Sequence, residues 1–315
     1  VSLSLHAGGM VEELRRAGRD PDRLLVLELN SQLPSTHGIP PEHPHALALD
    51  DVDILIEVDQ PAFTIPDAKP DDVERRIAAH ALEWIPDGAM LQTGIGGVPS
   101  LVVQSLAEGE RGGFGIHTEM FTTRLMHLCE AGKVDASRGG FGPFAVATFA
   151  AGTRELYDWL HRNDAVRFLP VEVTNSPAVI AGYDRMVSIN GALSIDLAGQ
   201  VAADTIGTRQ FSGVGGHEDF TSGASMSEGG HSLVCLPSTA TVGDETVSRI
   251  VARFAEGTTV TSPRHHVDVV ITEWGAAELT GKTVRERIEA LVAIAHPDFR
   301  DELRAEAPWR PRGGR

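Results

Sequence analysis

The chain has 315 residues, 42% of them hydrophobic, with 33 glycines and 5% aromatics. That composition excludes a disordered chain and is enough for one large or two ordinary α/β domains. Its formal charge of −17 excludes the basic surface that a sequence-independent nucleic-acid binder needs, so an anionic ligand has to be met by a local pocket of amides, Arg or Lys.

The opening residues 1–5 read as a strand, and a first residue of Val leads us to expect that an N-terminal segment precedes them. Residues 24–29 (LLVLEL) and 52–58 (VDILIEV) read as short buried strands, separated by a Pro-, Ser- and His-rich loop from Asn30 to Pro44. Pro61, Pro66 and Pro70 mark a linker, and a domain boundary is expected near residue 68. Asp71 and Asp72 cap a helix over 72–84. Strands and helices then alternate. Strand 89–93 leads through Gly94-Ile95-Gly96-Gly97 into a helix over 99–107, and strand 114–118 delivers Glu119 to its end before a helix over 121–131. A helix at 153–163, a hairpin turning at Ala198-Gly199-Gln200, a glycine-rich loop 211–216, and a helix at 217–225 follow. Strands at 232–236 and 267–272, helices at 282–295 and 297–304, and ten frayed residues close the chain. Such alternation predicts a mostly parallel sheet covered on both faces. The segment from Val52 to Glu57 echoes the one from Val267 to Glu273, as two related domains would.

Cys129 and Cys235 form no CxxC, which excludes a disulfide framework and a zinc ribbon. They read as small buried apolar groups in a reduced, cytoplasmic setting. No run of residues reaches the length of a membrane-spanning helix, and no signal peptide is visible. Three sites could carry chemistry. Glu119 sits where ligands bind in open α/β sheets, and can be a base, a metal ligand, a nucleophile or a plain first-turn acid of the helix that follows. The loop Gly94–Gly97 lets amides approach a ligand, but has neither the P-loop Lys nor the dinucleotide spacing; it can equally be a tight turn. The loop Phe211–Gly216 precedes a helix that opens with His217-Glu218-Asp219. Neither this trio nor His265-His266 has the spacing of a metal site, so no metal is expected, and no GxSxG elbow is present.

Together these strings resemble the acetyl-CoA hydrolase/transferase family, in particular its 4-hydroxybutyrate and butyryl-CoA:acetate CoA-transferase branch. The resemblance runs in order through Leu91-Gln92-Thr93-Gly94-Ile95-Gly96, Gly115-Ile116-His117-Thr118-Glu119-Met120, Met186-Val187-Ser188-Ile189-Asn190, Ser212-Gly213-Val214-Gly215-Gly216 and Val270-Ile271-Thr272-Glu273-Trp274-Gly275. It implies two similar open α/β domains with mostly parallel sheets, residues 1–67 being the remainder of the first and 68–315 the second. It implies an acyl-CoA:carboxylate CoA-transferase on short-chain acids, working as a homodimer, with coenzyme A as substrate and no other cofactor. Glu119 is then the nucleophile. Gly94, Gly96, Gly97, Val98, Gly213, Gly215 and Gly216 face the reacting thioester, with Val98 and Gly215 or Gly216 offering amides to its oxygen or to the CoA chain. Gln32, Thr36, His37 and Met120 border the substrate pocket. The chain departs from the branch at Thr122-Thr123-Arg124, where a Ser-Asp-Gly run is usual. That departure leaves an acyl-CoA hydrolase, or an impaired CoA-binding homologue, as alternatives.

Overall fold

The computed structural model describes residues 1–66 and 70–307. Its largest sheet has six strands in the spatial order Gly275–Glu278, Val269–Thr272, His231–Cys235, Met186–Gly191, Met90–Thr93 and Gly115–Ile116. All neighbours are parallel except the outermost hairpin of Val269–Thr272 with Gly275–Glu278. The expected mostly parallel α/β architecture is therefore present.

Alternation along each strand divides the core between the two faces. Leu91, Val187, Ile189, Leu233, Cys235, Val269 and Ile271 pack on one face against the helices Asp72–Leu82, Gly97–Glu108 and Thr123–Glu130. Val234 and Val270 point the other way, into a cluster with Ile195, Leu279, Leu291 and Val292. Each such fully buried aliphatic side chain contributes about 1.5–3 kcal/mol relative to an exposed one.

Local signals set the helix starts. Asp71 accepts the Glu74 amide while Glu74 reaches back to the Asp71 amide, a reciprocal cap. Thr283 and Glu286 repeat the device before Val284–Ala293. Thr122 caps Thr123–Glu130 through the Leu125 amide, so the departure at 122–124 still gives a regular helix start. The hairpin at Ala198-Gly199-Gln200 is present, with Gly199 at φ 91° and Asp196 accepting the Ala198 and Gln200 amides.

The N-terminal 66 residues differ from expectation in two ways. Val1–Leu5 is no strand: Ser2 makes a single bridge to Ala46, and Ser4 turns the chain at φ 53°. Val26–Asn30 and Ile54–Val58 do pair in parallel, but as a separate two-stranded sheet. They are not buried: Val26, Ile54, Leu55 and Ile56 are each more than 40% exposed. Composition makes a strand, but it does not supply the layer that covers it. The boundary near 68 and all but two of the ten closing residues lie outside the described residues.

Candidate active site

Parallel strands bring their C-terminal ends to one edge, and the loops there close on a cavity of about 570 Å³. Glu119, Met120, Gly94, Gly213, Gly215 and Gly216 all line it, together with Asn190, Phe211 and His217. A sequence separation of 97 residues collapses to hydrogen-bond distance: the Gly216 amide donates to Glu119 Oε2 at 2.7 Å.

Glu119 is held through its backbone as well. Its carbonyl accepts from the Thr148 and Phe149 amides, and the preceding His117 and Thr118 amides donate to Leu91 and Val146. The strand end is thus stitched to both neighbours, leaving the carboxylate to project into the cavity. Asn175 was not singled out by sequence reasoning, and Asp219 was weighed only as part of the His217-Glu218-Asp219 trio, yet both complete the site. The Asn175 side-chain amide donates to Glu119 and lies 3.4 Å from Asp219 Oδ2, between the two carboxylates. A second amide pair, Gln92 with Asn190, is reciprocally bonded at 3.0 and 3.2 Å and buried at the cavity floor.

The segment carrying Asn175 is positioned by His117. Its Nε2 donates to the Thr174 carbonyl at 2.7 Å, so Nδ1 is the acceptor, and it takes the Tyr183 hydroxyl at 3.1 Å. A carbonyl can only accept, which fixes this tautomer. Burial lowers the His117 pKa to about 4, so the ring is neutral at physiological pH.

Burial raises the Glu119 pKa above the ordinary carboxylate value; the Gly216 and Asn175 donors oppose the shift, and the negative charge of Asp219 adds to it. A carboxylate so placed is only partly hydrated in its ionised form, which suits a nucleophile. Its activity is present above its pKa and lost as pH falls through it. The acid limb of kcat/KM is therefore expected above the range of a free glutamate. Asp219→Asn, removing the like charge, is expected to shift that limb to lower pH; a pH–rate series on both proteins checks the direction.

The glycines have distinct reasons. A methyl on Gly216 would lie 2.4 Å from Glu119 Oε2, and Gly215 sits at φ +57°, where other residues are strained. Gly96 is at φ +130° and lines a smaller adjoining cavity with Gly94, Met120 and Arg124. Gly97 is open to a different neighbour: its methyl would strike Glu74 Oε1 at 2.0 Å. Gly97 and Val98 form the first turn of Gly97–Glu108, whose opening amides have no intrahelical acceptor. Neither residue lines these two cavities. Nor do Gln32, Thr36 and His37. Gln32 bonds Asp59, Thr36 bonds the Ser4 carbonyl, and the His37 carbonyl takes the Phe168 amide.

Among the described residues no cluster of three or more His, Cys, Asp or Glu side chains is placed to hold a metal ion, and no helix is long and apolar enough to cross a membrane. Burial pushes the thiols of Cys129 and Cys235 up to about 12, as expected of inert packing groups.

Comparison with known proteins places this geometry in a family. The family model for the acetyl-CoA hydrolase/transferase C-terminal domain matches residues 152–307. A probable butyrate:acetyl-CoA coenzyme A-transferase of Syntrophomonas wolfei is 40% identical over 91% of this chain and 65% of its own length. A 4-hydroxybutyrate coenzyme A transferase of Clostridium kluyveri is 39% identical over 95% and 68%. The chain thus spans about two thirds of the length of these relatives. Among solved structures, RipA from Yersinia pestis superposes with a TM-score of 0.84 at 36% identity, covering 93% of this chain and 64% of that one. The 4-hydroxybutyrate CoA-transferase of Porphyromonas gingivalis gives a TM-score of 0.75 at 38% identity, covering 90% and 65%. With 39% identity to a relative of which it covers more than two thirds, the chain belongs to the acetyl-CoA hydrolase/transferase family.

Proposed function

We propose that the chain carries the catalytic glutamate of an acyl-CoA:carboxylate CoA-transferase acting on short-chain acids. The observation that carries this reading is the Glu119 carboxylate, desolvated yet bonded to the Gly216 amide at the end of an open cavity. The relatives' names, which specify butyrate, acetate and 4-hydroxybutyrate, support the substrate class.

Exchange of CoA between two acids has to conserve the thioester's free energy, and direct hydrolysis would dissipate it. Glu119 attacks the acyl-CoA carbonyl, the C–S bond breaks, and an acyl-glutamyl anhydride and CoA thiolate result. The thiolate attacks the glutamyl carbonyl and expels the acyl group as its carboxylate, leaving a glutamyl-CoA thioester. An incoming carboxylate attacks that thioester, and the same two steps in reverse release its CoA ester and regenerate Glu119. Each addition forms a tetrahedral oxyanion. Amides of the Gly213–Gly216 loop, which lines the cavity, are suited to that charge, each such donor being worth about 3 kcal/mol. Asn175 holds the nucleophile's orientation between steps.

This sequence predicts ping-pong kinetics. With acyl-CoA and a carboxylate varied together, double-reciprocal plots should be parallel, and consumption of acyl-CoA should require the acceptor. Intersecting lines overturn the covalent route. Release of free CoA at the same rate without acceptor makes the enzyme a hydrolase instead.

A further inference from the structure

The smaller cavity beside Glu119 holds about 120 Å³, and Gly94, Ile95 and Met120 line both it and the larger one. The two differ in charge. Among the described residues lining the larger cavity, the only Asp, Glu, Lys or Arg is Glu119. Among those lining the smaller one, it is Arg124. Ser100 and Thr122 add hydroxyl-bearing residues to that wall, and Ile65, Pro66 and Ala151 give it an apolar side.

Arg124 stands in the first turn of the helix Thr123–Glu130, which begins just after the nucleophile. The positive end of the helix dipole makes that turn a poor place for a cation, and no acid shares it. The guanidinium is already engaged by another group. With several N–H donors in a planar fork, it can keep that contact and still take a carboxylate. The larger cavity has to pass the CoA arm, which leaves the smaller one to the chain of the acid. An acid ending in a methyl group brings nothing for a guanidinium to bond. One ending in a second carboxylate brings charge-assisted acceptors.

We propose that Arg124 fits this site to short dicarboxylic acids, with the reacting carbonyl at Glu119 and the far carboxylate in the smaller cavity on Arg124. The proposal rests on the transferase reading for the reaction and names a class of acid that this reading leaves open. The arrangement matches such a substrate end for end: a nucleophile for its electrophilic carbon, and a cation for its anionic tail.

The test is transfer of CoA from acetyl-CoA to succinate and to butyrate by wild type, Arg124→Gln and Arg124→Lys. In Arg124→Gln the succinate-to-butyrate ratio of kcat/KM should fall by about tenfold or more, as loss of one charge-assisted contact predicts, with the change in KM for succinate. Arg124→Lys keeps the charge without the fork, and its ratio should fall by less. A ratio unmoved in both variants overturns the proposal, as does an equal loss for the two acids, or a wild type that uses butyrate and not succinate. Binding separates the subsite from the reaction. In Glu119→Gln the nucleophile's charge no longer repels a dicarboxylate, and calorimetry should show succinate binding that is lost when Arg124→Gln is added. Such binding in a chain that transfers no CoA upholds the subsite and rejects the transferase reading. Transfer to butyrate without Arg124-dependent succinate binding does the reverse.

Discussion

Glu119→Gln is expected to lower the rate of CoA transfer on the order of 10⁴-fold or more, as loss of a covalent nucleophile does elsewhere, while the protein stays folded. The two side chains have nearly the same shape, and Gln keeps an acceptor for the Gly216 amide bonded at 2.7 Å. The backbone bonds from Thr148 and Phe149 to residue 119 do not involve the side chain at all. What disappears is the nucleophile, because the amide oxygen carries no full charge and forms no stable anhydride. Folding should not suffer, since neutralising a partly buried acid relieves its desolvation and its repulsion from Asp219. Steady-state transfer and a thermal melt on the same preparation check both halves. An unchanged rate rejects Glu119 as the nucleophile.

Gly216→Ala should reduce kcat by about 100-fold, as a misplacement near 1 Å does at a reacting centre. The backbone there has φ −90°, which any residue adopts, so strain is not the reason. The new methyl would stand 2.4 Å from Glu119 Oε2 and 2.5 Å from Asn175 Nδ2. Ordinary contact requires roughly 3.5 Å, so the carboxylate and its orienting amide must both retreat by about 1 Å. Gly213→Ala is the matched control: a methyl there meets nothing within 4 Å, and activity should stay near wild type. Equal rates for Gly216→Ala and Gly213→Ala would show that the close approach of the loop to Glu119 has no part in turnover.

Much of this arrangement was legible in the residues themselves. Short, largely apolar runs alternating with helical segments predict buried parallel strands, and Met90–Thr93 and Val269–Thr272 are buried throughout. A carboxylate at a strand end and a Gly-Val-Gly-Gly loop before a helix announce where a ligand edge lies, and the fold brings them together. The same kind of run misleads at Val26–Asn30 and Ile54–Val58, because hydrophobicity records what a strand can bury and is silent about what lies over it. Val1–Leu5 alternates like a strand but finds only one bridging partner.

The supporting residues were harder to read. Asn175 lies 56 positions from Glu119, on a short helical turn, Val171–Thr174, with no glycine signature. Its role depends on His117 gripping the Thr174 carbonyl, a contact between residues 57 apart. A buried neutral histidine cannot be told from a solvent-facing one in a sequence. Asn190 carried a faint signal, as an amide near the end of a mostly apolar strand, within bonding reach of a second amide, Gln92, on the neighbouring strand. The loop with Gln32, Thr36 and His37 came from family resemblance alone. Its bonds to Asp59, Ser4 and Phe168 account for its shape without reference to the cavity.

The central claim is that Glu119 itself becomes the carrier of CoA. Mass spectrometry of the intact chain, and then of its peptides, after brief incubation with acyl-CoA and no acceptor tests this directly. The account predicts a CoA adduct on the peptide containing Glu119, discharged by adding a short-chain carboxylate and missing from Glu119→Gln. An actively transferring preparation that never shows the adduct, or shows it on another residue, contradicts it.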